Sequence, residues 1–142
     1  MTRLLLLLLF ISLPAHADDF FFNDINGKPL RLSNFSGKWV LVNFCSMTDP
    51  DSKAELPQLA ALQKAHKNIV VIGIVMQWTN EKAVSAFAKT LPYDIALGND
   101  DIVDQIGSYP HLPANFLYNP AGELVAARSG RITQDDVERL IR

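Results

Sequence analysis

Short apolar runs alternate with amphipathic stretches along most of this chain. Phe20 to Phe22 and Leu30 to Leu32 predict two short strands, and the Asn26-Gly27 pair between them supplies the positive φ that a tight turn requires. Ser33 to Gly37 reads as a connector with about one helical turn. Trp39 to Phe44 predicts the first long strand. Its successive Val40, Leu41 and Val42 imply burial on both faces, as in a central parallel strand. The spacing then predicts a helix from Pro50 to Lys67, with Leu56, Leu59, Ala60 and Gln63 on one face and Leu62 beside it. Pro57 lies inside that helix and is expected to kink it, because it removes one backbone hydrogen bond.

Ile69 to Met76 predicts a second central strand, rich in β-branched residues. Thr79 or Asn80 can cap a helix over Glu81 to Lys89 whose stripe is Val84, Phe87 and Ala88. Asp94 to Leu97 follows as a short strand, then Asp100 to Ile106 as a short helix stopped by Gly107. Ala114 to Tyr118 and Glu123 to Ser129 flank Asn119-Pro120-Ala121-Gly122 and so predict a hairpin. Thr133 is expected to cap a last helix, with Asp136 completing a capping box and Val137, Leu140 and Ile141 facing inward. The order β, β, β, α, β, α, β, α, β, β, α implies an α/β fold, a mixed sheet covered by helices on both sides.

Met1 to Ala17 stands apart from this pattern. Arg3 is followed by Leu4 to Leu13, apolar but for Ser12, and then by Pro14 and Ala15-His16-Ala17. This is the form of a secretory leader cut before Asp18, and it is shorter than the ~20 apolar residues that span a bilayer. The rest, Asp18 to Arg142, is expected to be one exported domain, tied to a membrane only through an uncut leader. Acidic residues number 15 against 13 basic, a net charge of −2 with no basic run, so nothing favours nucleic acid. There is one cysteine, Cys45, so no intramolecular disulfide can form.

Candidate chemistry concentrates where the Trp39–Phe44 strand breaks into a loop and restarts as a helix at Asp49-Pro50-Asp51-Ser52. Amide N–H groups and the helix dipole converge at such a junction. Several segments there and downstream resemble the TlpA/ResA-type thiol–disulfide proteins of the thioredoxin fold. They are Asn26-Gly27-Lys28, Leu32 to Lys38, Val40-Leu41-Val42-Asn43-Phe44, Glu55-Leu56-Pro57, Leu112 to Leu117 and Asn119 to Val125. The resemblance spans Asp19 to Arg142. It implies a three-layer α/β/α architecture, an N-terminal β-hairpin and an extra helix and strand between Trp78 and Leu97. It also implies a cis peptide bond before Pro113, with Pro113 and Glu55 beside a reactive dithiol.

The dithiol itself does not carry over. The resembling family reads Trp-x-x-Trp-Cys-x-x-Cys after Asn43-Phe44. Here its tryptophans fall on Cys45 and Thr48, and its cysteines on Asp49 and Ser52. Exchange with a dithiol needs an attacking and a resolving sulfur, and neither Asp49 nor Ser52 offers one. Asp49 is instead a strong N-cap, Pro50 suits the first helical position and Asp51 suits the first turn. The expectation is therefore a protein without dithiol activity and without metal or cofactor. It would bind a protein or peptide segment by strand addition at the loop before Pro113, with Met47, Thr48, Pro50, Leu112, Pro113 and Glu55 around it. Four other readings stand beside it. Cys45 is a possible lone exchange thiol; Cys45, Met47 and His111 form a possible Cu(I) set. Asp49, Asp51 and Glu55 form a possible Ca²⁺ set, and Ser52 with His111 a possible nucleophile and base.

Overall fold

The computed structural model describes residues 19–142. The expected leader and its cutting site lie outside these residues. Strands β1 (Phe21–Asn23) and β2 (Pro29–Arg31) form a two-stranded antiparallel unit with Phe22 opposite Leu30. Its turn is held by one side chain: Asp24 Oδ1 accepts the N–H groups of Asn26 and Lys28, each at 2.8 Å, and Gly27 takes φ +81°. A 3-10 turn over Leu32–Phe35 leads into the main sheet.

That sheet contains β3 (Trp39–Cys45), β4 (Ile69–Val75), β5 (Asp94–Leu97), β6 (Ala114–Tyr118) and β7 (Leu124–Ser129), in the order β5-β4-β3-β6-β7. Strands β3, β4 and β5 run parallel, while β6 is antiparallel to both β3 and β7. Helices α1 (Pro50–Ala65), α2 (Glu81–Ala88), α3 (Asp100–Ile106) and α4 (Gln134–Leu140) complete the architecture. The order read from the apolar pattern is the one observed.

Side chains alternate across the sheet and divide the core in two. Val40, Val42 and Phe44 pack with Ile72, Ile74 and Phe116 against the hairpin and α3. Leu41 and Cys45 pack on the other face with Val71, Val75 and Leu117, beneath Leu59 and Leu62 of α1, Val84 of α2 and Val137 of α4. By the same alternation Asn43 and Asn115, which sit opposite one another in the β3/β6 register, point toward α1.

The inward face of α1 differs from the one expected. Its buried residues are Ser52, Glu55, Leu59 and Leu62, while Leu56, Ala60 and Gln63 are only partly covered. A hydrophobic criterion cannot find a face whose first two members are polar. The helix nevertheless turns that way because Ser52 and Glu55 find hydrogen-bond partners inside. Pro57 sits within α1, which is assigned as helix without a break. In α4, Thr133 and Asp136 form the expected capping box, but Leu140 is 55% exposed rather than inward. It is the helix's last residue and stands on the rim of a groove beside β7.

Candidate functional site

The end of β3 and the start of β6 lie at the same end of the sheet, since Phe44 pairs with Ala114. One step further along each strand brings the Ser46–Asp49 loop beside the Leu112–Pro113 segment. Here the structure assembles the residues on which the sequence argument concentrated.

At the start of α1, Asp49 is the N-cap. Its Oδ2 accepts the Ser52 N–H at 2.7 Å, and Pro50 occupies the first turn. Ser52 is 2% exposed, and its Oγ accepts the Ser46 N–H at 3.1 Å. Ser46 Oγ in turn accepts the Thr48 N–H at 3.3 Å. The two positions where the resemblance puts cysteines are thus joined through the helix start, and the second is closed off by the loop before it. The Asp49 bond satisfies one donor that a helix N-terminus otherwise leaves open, and the other two satisfy N–H groups of the preceding loop. Ser52 is not brought to His111, which is exposed and held through its backbone: Ser129 Oγ–H donates to the His111 carbonyl at 2.6 Å.

Beneath the cap lies a polar cluster that the sequence reading missed. Glu55 is 1% exposed. Its carboxylate accepts from Asn43 Nδ2 at 2.5 Å, from Asn115 Nδ2 at 3.1 and 3.2 Å and from the Ile132 N–H at 2.9 Å. Asn43 Nδ2 also donates to Asn115 Oδ1 at 2.9 Å. Burial pushes the Glu55 carboxyl above the usual carboxylate range, and these hydrogen bonds pull against it. With both oxygens occupied and no exposed surface, Glu55 is neither a contact for a partner nor a ligand to share with Asp49 and Asp51. The signal available in the sequence was an asparagine interrupting each of two apolar strands, Asn43 in Val-Asn-Phe and Asn115 in Ala-Asn-Phe.

Cys45 is 2% exposed, and burial, with a smaller contribution from the charge of Glu55, pushes its thiol up to about 12. It faces the α1 layer rather than the loop surface, so it does not meet the exposed His111 as a metal pair. Among the described residues no group of three His, Cys, Asp or Glu side chains is placed to hold a metal ion.

The remaining expected residues divide by exposure. Thr48 and Pro50 are exposed, Met47 and Leu112 half-buried, and Pro113 buried. The Leu112–Pro113 peptide bond is cis. The Pro113 carbonyl accepts the Gly130 N–H at 2.7 Å, whereas neither the N–H nor the C=O of Leu112 has a hydrogen-bond partner among the described residues.

Comparison with known proteins places this geometry. The description of the AhpC/TSA family matches residues 14–127. The thiol-disulfide oxidoreductase ResA of Bacillus subtilis is 32% identical over 127 residues, covering 87% of this chain and 71% of the relative. The sporulation thiol-disulfide oxidoreductase A of the same organism is 25% identical, covering 88% and 79%. Two solved structures share the fold. A thiol:disulfide interchange protein from Chlorobium tepidum has a TM-score of 0.78 at 22% identity, covering 88% of this chain and 92% of that one. StoA from B. subtilis has a TM-score of 0.72 at 22%, covering 89% and 98%. On the extent of these matches, the chain belongs to the AhpC/TSA family and, within it, to the family of the ResA-type thiol–disulfide oxidoreductases.

Proposed function

We propose that this chain is an exported family member that works by holding an extended segment of a partner protein, without exchanging disulfides. One observation carries the reading. The positions aligned with the family's dithiol are an aspartate cap and a buried serine bonded to each other and to the preceding loop. The one thiol in the chain lies under a helix and is pushed up to about 12. A single-thiol exchange and a copper site both call for Cys45 as an accessible thiolate, and its burial and raised pKa weigh against both. What the family scaffold retains is the open backbone of Leu112, available for pairing with an extended chain. Export rests on the pattern of Met1 to Ala17.

The test is reduction of insulin by dithiothreitol with catalytic amounts of the protein. The expected rate is that of the reductant alone, for both the parent chain and Cys45→Ser. Turnover that vanishes in Cys45→Ser would restore the single-thiol enzyme. Capture of an exported partner, equal with and without Cys45, is the positive half of the same experiment.

A further inference from the structure

Two strands across the sheet from the Leu112 edge, between the Ser46–Thr48 loop and the start of α2, lies a depression of about 100 Å³. Met47, Thr48, Met76, Gln77, Trp78 and Ala83 form much of its wall. The wall is set by the fold. Trp78 Nε1–H donates to the Gly98 carbonyl at 2.9 Å, and Gln77 holds φ +57°, a left-handed conformation that a side chain disfavours. Met76 follows β4, Ser46 follows β3 and Leu112 precedes β6, so these three stand on adjacent strands at one end of the sheet. Two strand spacings make about 10 Å, the reach of about three residues of extended chain.

Size and charge define what fits. A cavity of ~150 Å³ takes a benzene ring, so the smaller one here suits an aliphatic side chain of leucine or methionine size. Its thioether and indole walls are soft and apolar, while Ser46, Thr48, Gln77, Thr79 and Asn80 give the rest of the lining a polar character. Asp49 follows Thr48 and Asp51 comes two residues later, at the edge of the depression rather than in its lining; neither has an ion-pair partner among the described residues, and no basic residue lines the depression. Resting on the binding reading above, we propose that the depression receives one aliphatic side chain of the partner segment. The same segment carries a lysine or arginine that lies over Asp49 and Asp51. The carboxylates thus provide ionic recognition at the position where a dithiol would form a covalent bond.

The probe is a panel of blocked, fluorescein-labelled peptides of Ser and Thr carrying one Leu and one Lys at separations of one to four residues. Binding to the mature chain is read by anisotropy. At the best separation, Leu→Ala and Leu→Trp are expected to weaken binding roughly tenfold. Lys→Glu is expected to weaken it about two- to fivefold, more at low salt. Thr48→Trp and, from the opposite wall, Ala83→Leu should erase the preference for Leu over Ala. Asp49→Asn with Asp51→Asn should erase the preference for Lys. If all peptides bind alike and the filling variants change nothing, the pocket inference falls while the binding reading stands. If no peptide binds, both fall. Self-association of the free protein that Thr48→Trp abolishes would make the occupant a second copy and overturn the proposal.

Discussion

At the scale of single residues, two buried polar groups on the α1 side of the sheet have different standing. The Tyr93 hydroxyl is enclosed and has no hydrogen-bond partner among the described residues. Its ring passes over β4 where Gly73 lacks a side chain; a Cβ there would meet Ile95 Cδ1 at 2.5 Å and Tyr93 Cε2 at 3.1 Å. Burial above all pushes the phenol well above its ordinary range, so it stays a neutral, unpaired O–H. Tyr93→Phe keeps the ring and deletes the unpaired group. It is expected to raise stability by about 1 kcal/mol, seen as a melting temperature roughly 4 °C higher. Glu55 is buried too, but with partners. Its folded-state pKa is raised, so the acid form is favoured by folding; that contribution is present below the unfolded carboxylate pKa and is lost as pH rises through the folded one. Glu55→Gln replaces two acceptors with one and faces an amide NH₂ toward Asn43, Asn115 or the Ile132 N–H, so it destabilises at every pH. Because only the parent titrates there, the deficit should shrink as pH rises above the ordinary carboxylate range. Urea melts of both proteins across pH 4 to 8 check this, and a deficit that grows with pH would reverse the sign assigned to Glu55.

At the scale of elements, the two long strands, the hairpins and the caps of the helices were legible because each obeys a local rule. Three consecutive β-formers in Val40-Leu41-Val42 mark a doubly buried strand, and Asp49, Asn80 and Thr133 cap α1, α2 and α4 with their side chains. The inward face of α1 was not legible, because what turns it is non-local: Glu55 is placed by Asn115, 60 positions later, and by Ile132, 77 positions later. The altered site was legible in composition but not in connection. Asp49 announces a cap, yet the Ser52 hydroxyl closing on Ser46 follows only from the bend between β3 and α1. Since Asp49 and Ser52 are first and fourth in an ordinary helix start, Asp49→Cys with Ser52→Cys should create a dithiol in the family's arrangement. The aspartate cap is lost, at a cost of about 1 kcal/mol. With a chromogenic disulfide, the folded double variant is expected to release two equivalents of aryl thiol as its internal disulfide closes, and each single variant at most one from the introduced thiol, left as a mixed disulfide. A folded double variant that exchanges nothing would mean that the loop has moved away from the family's geometry.

For the molecule as a whole, the position of Cys45 turns the lone thiol into a reporter. It ends β3, the central strand, between β4 and β6, and lies under α1, so no single loop or terminus covers it. Reaching it with an aromatic disulfide reagent requires the sheet and its helix layer to part, an opening close in free energy to global unfolding. The native protein is therefore expected to show no fast-reacting thiol and to react stoichiometrically in denaturant. At intermediate urea concentrations, the slow labelling rate should rise with the same slope as the equilibrium unfolding transition. Reductant should leave the melting curve unchanged, because one cysteine can form no internal bridge. Fast labelling of the native protein would place the thiol within reach of a partner's disulfide. The non-covalent reading of the Asp49–Ser52 site would then lose its main support, whatever the insulin assay returned.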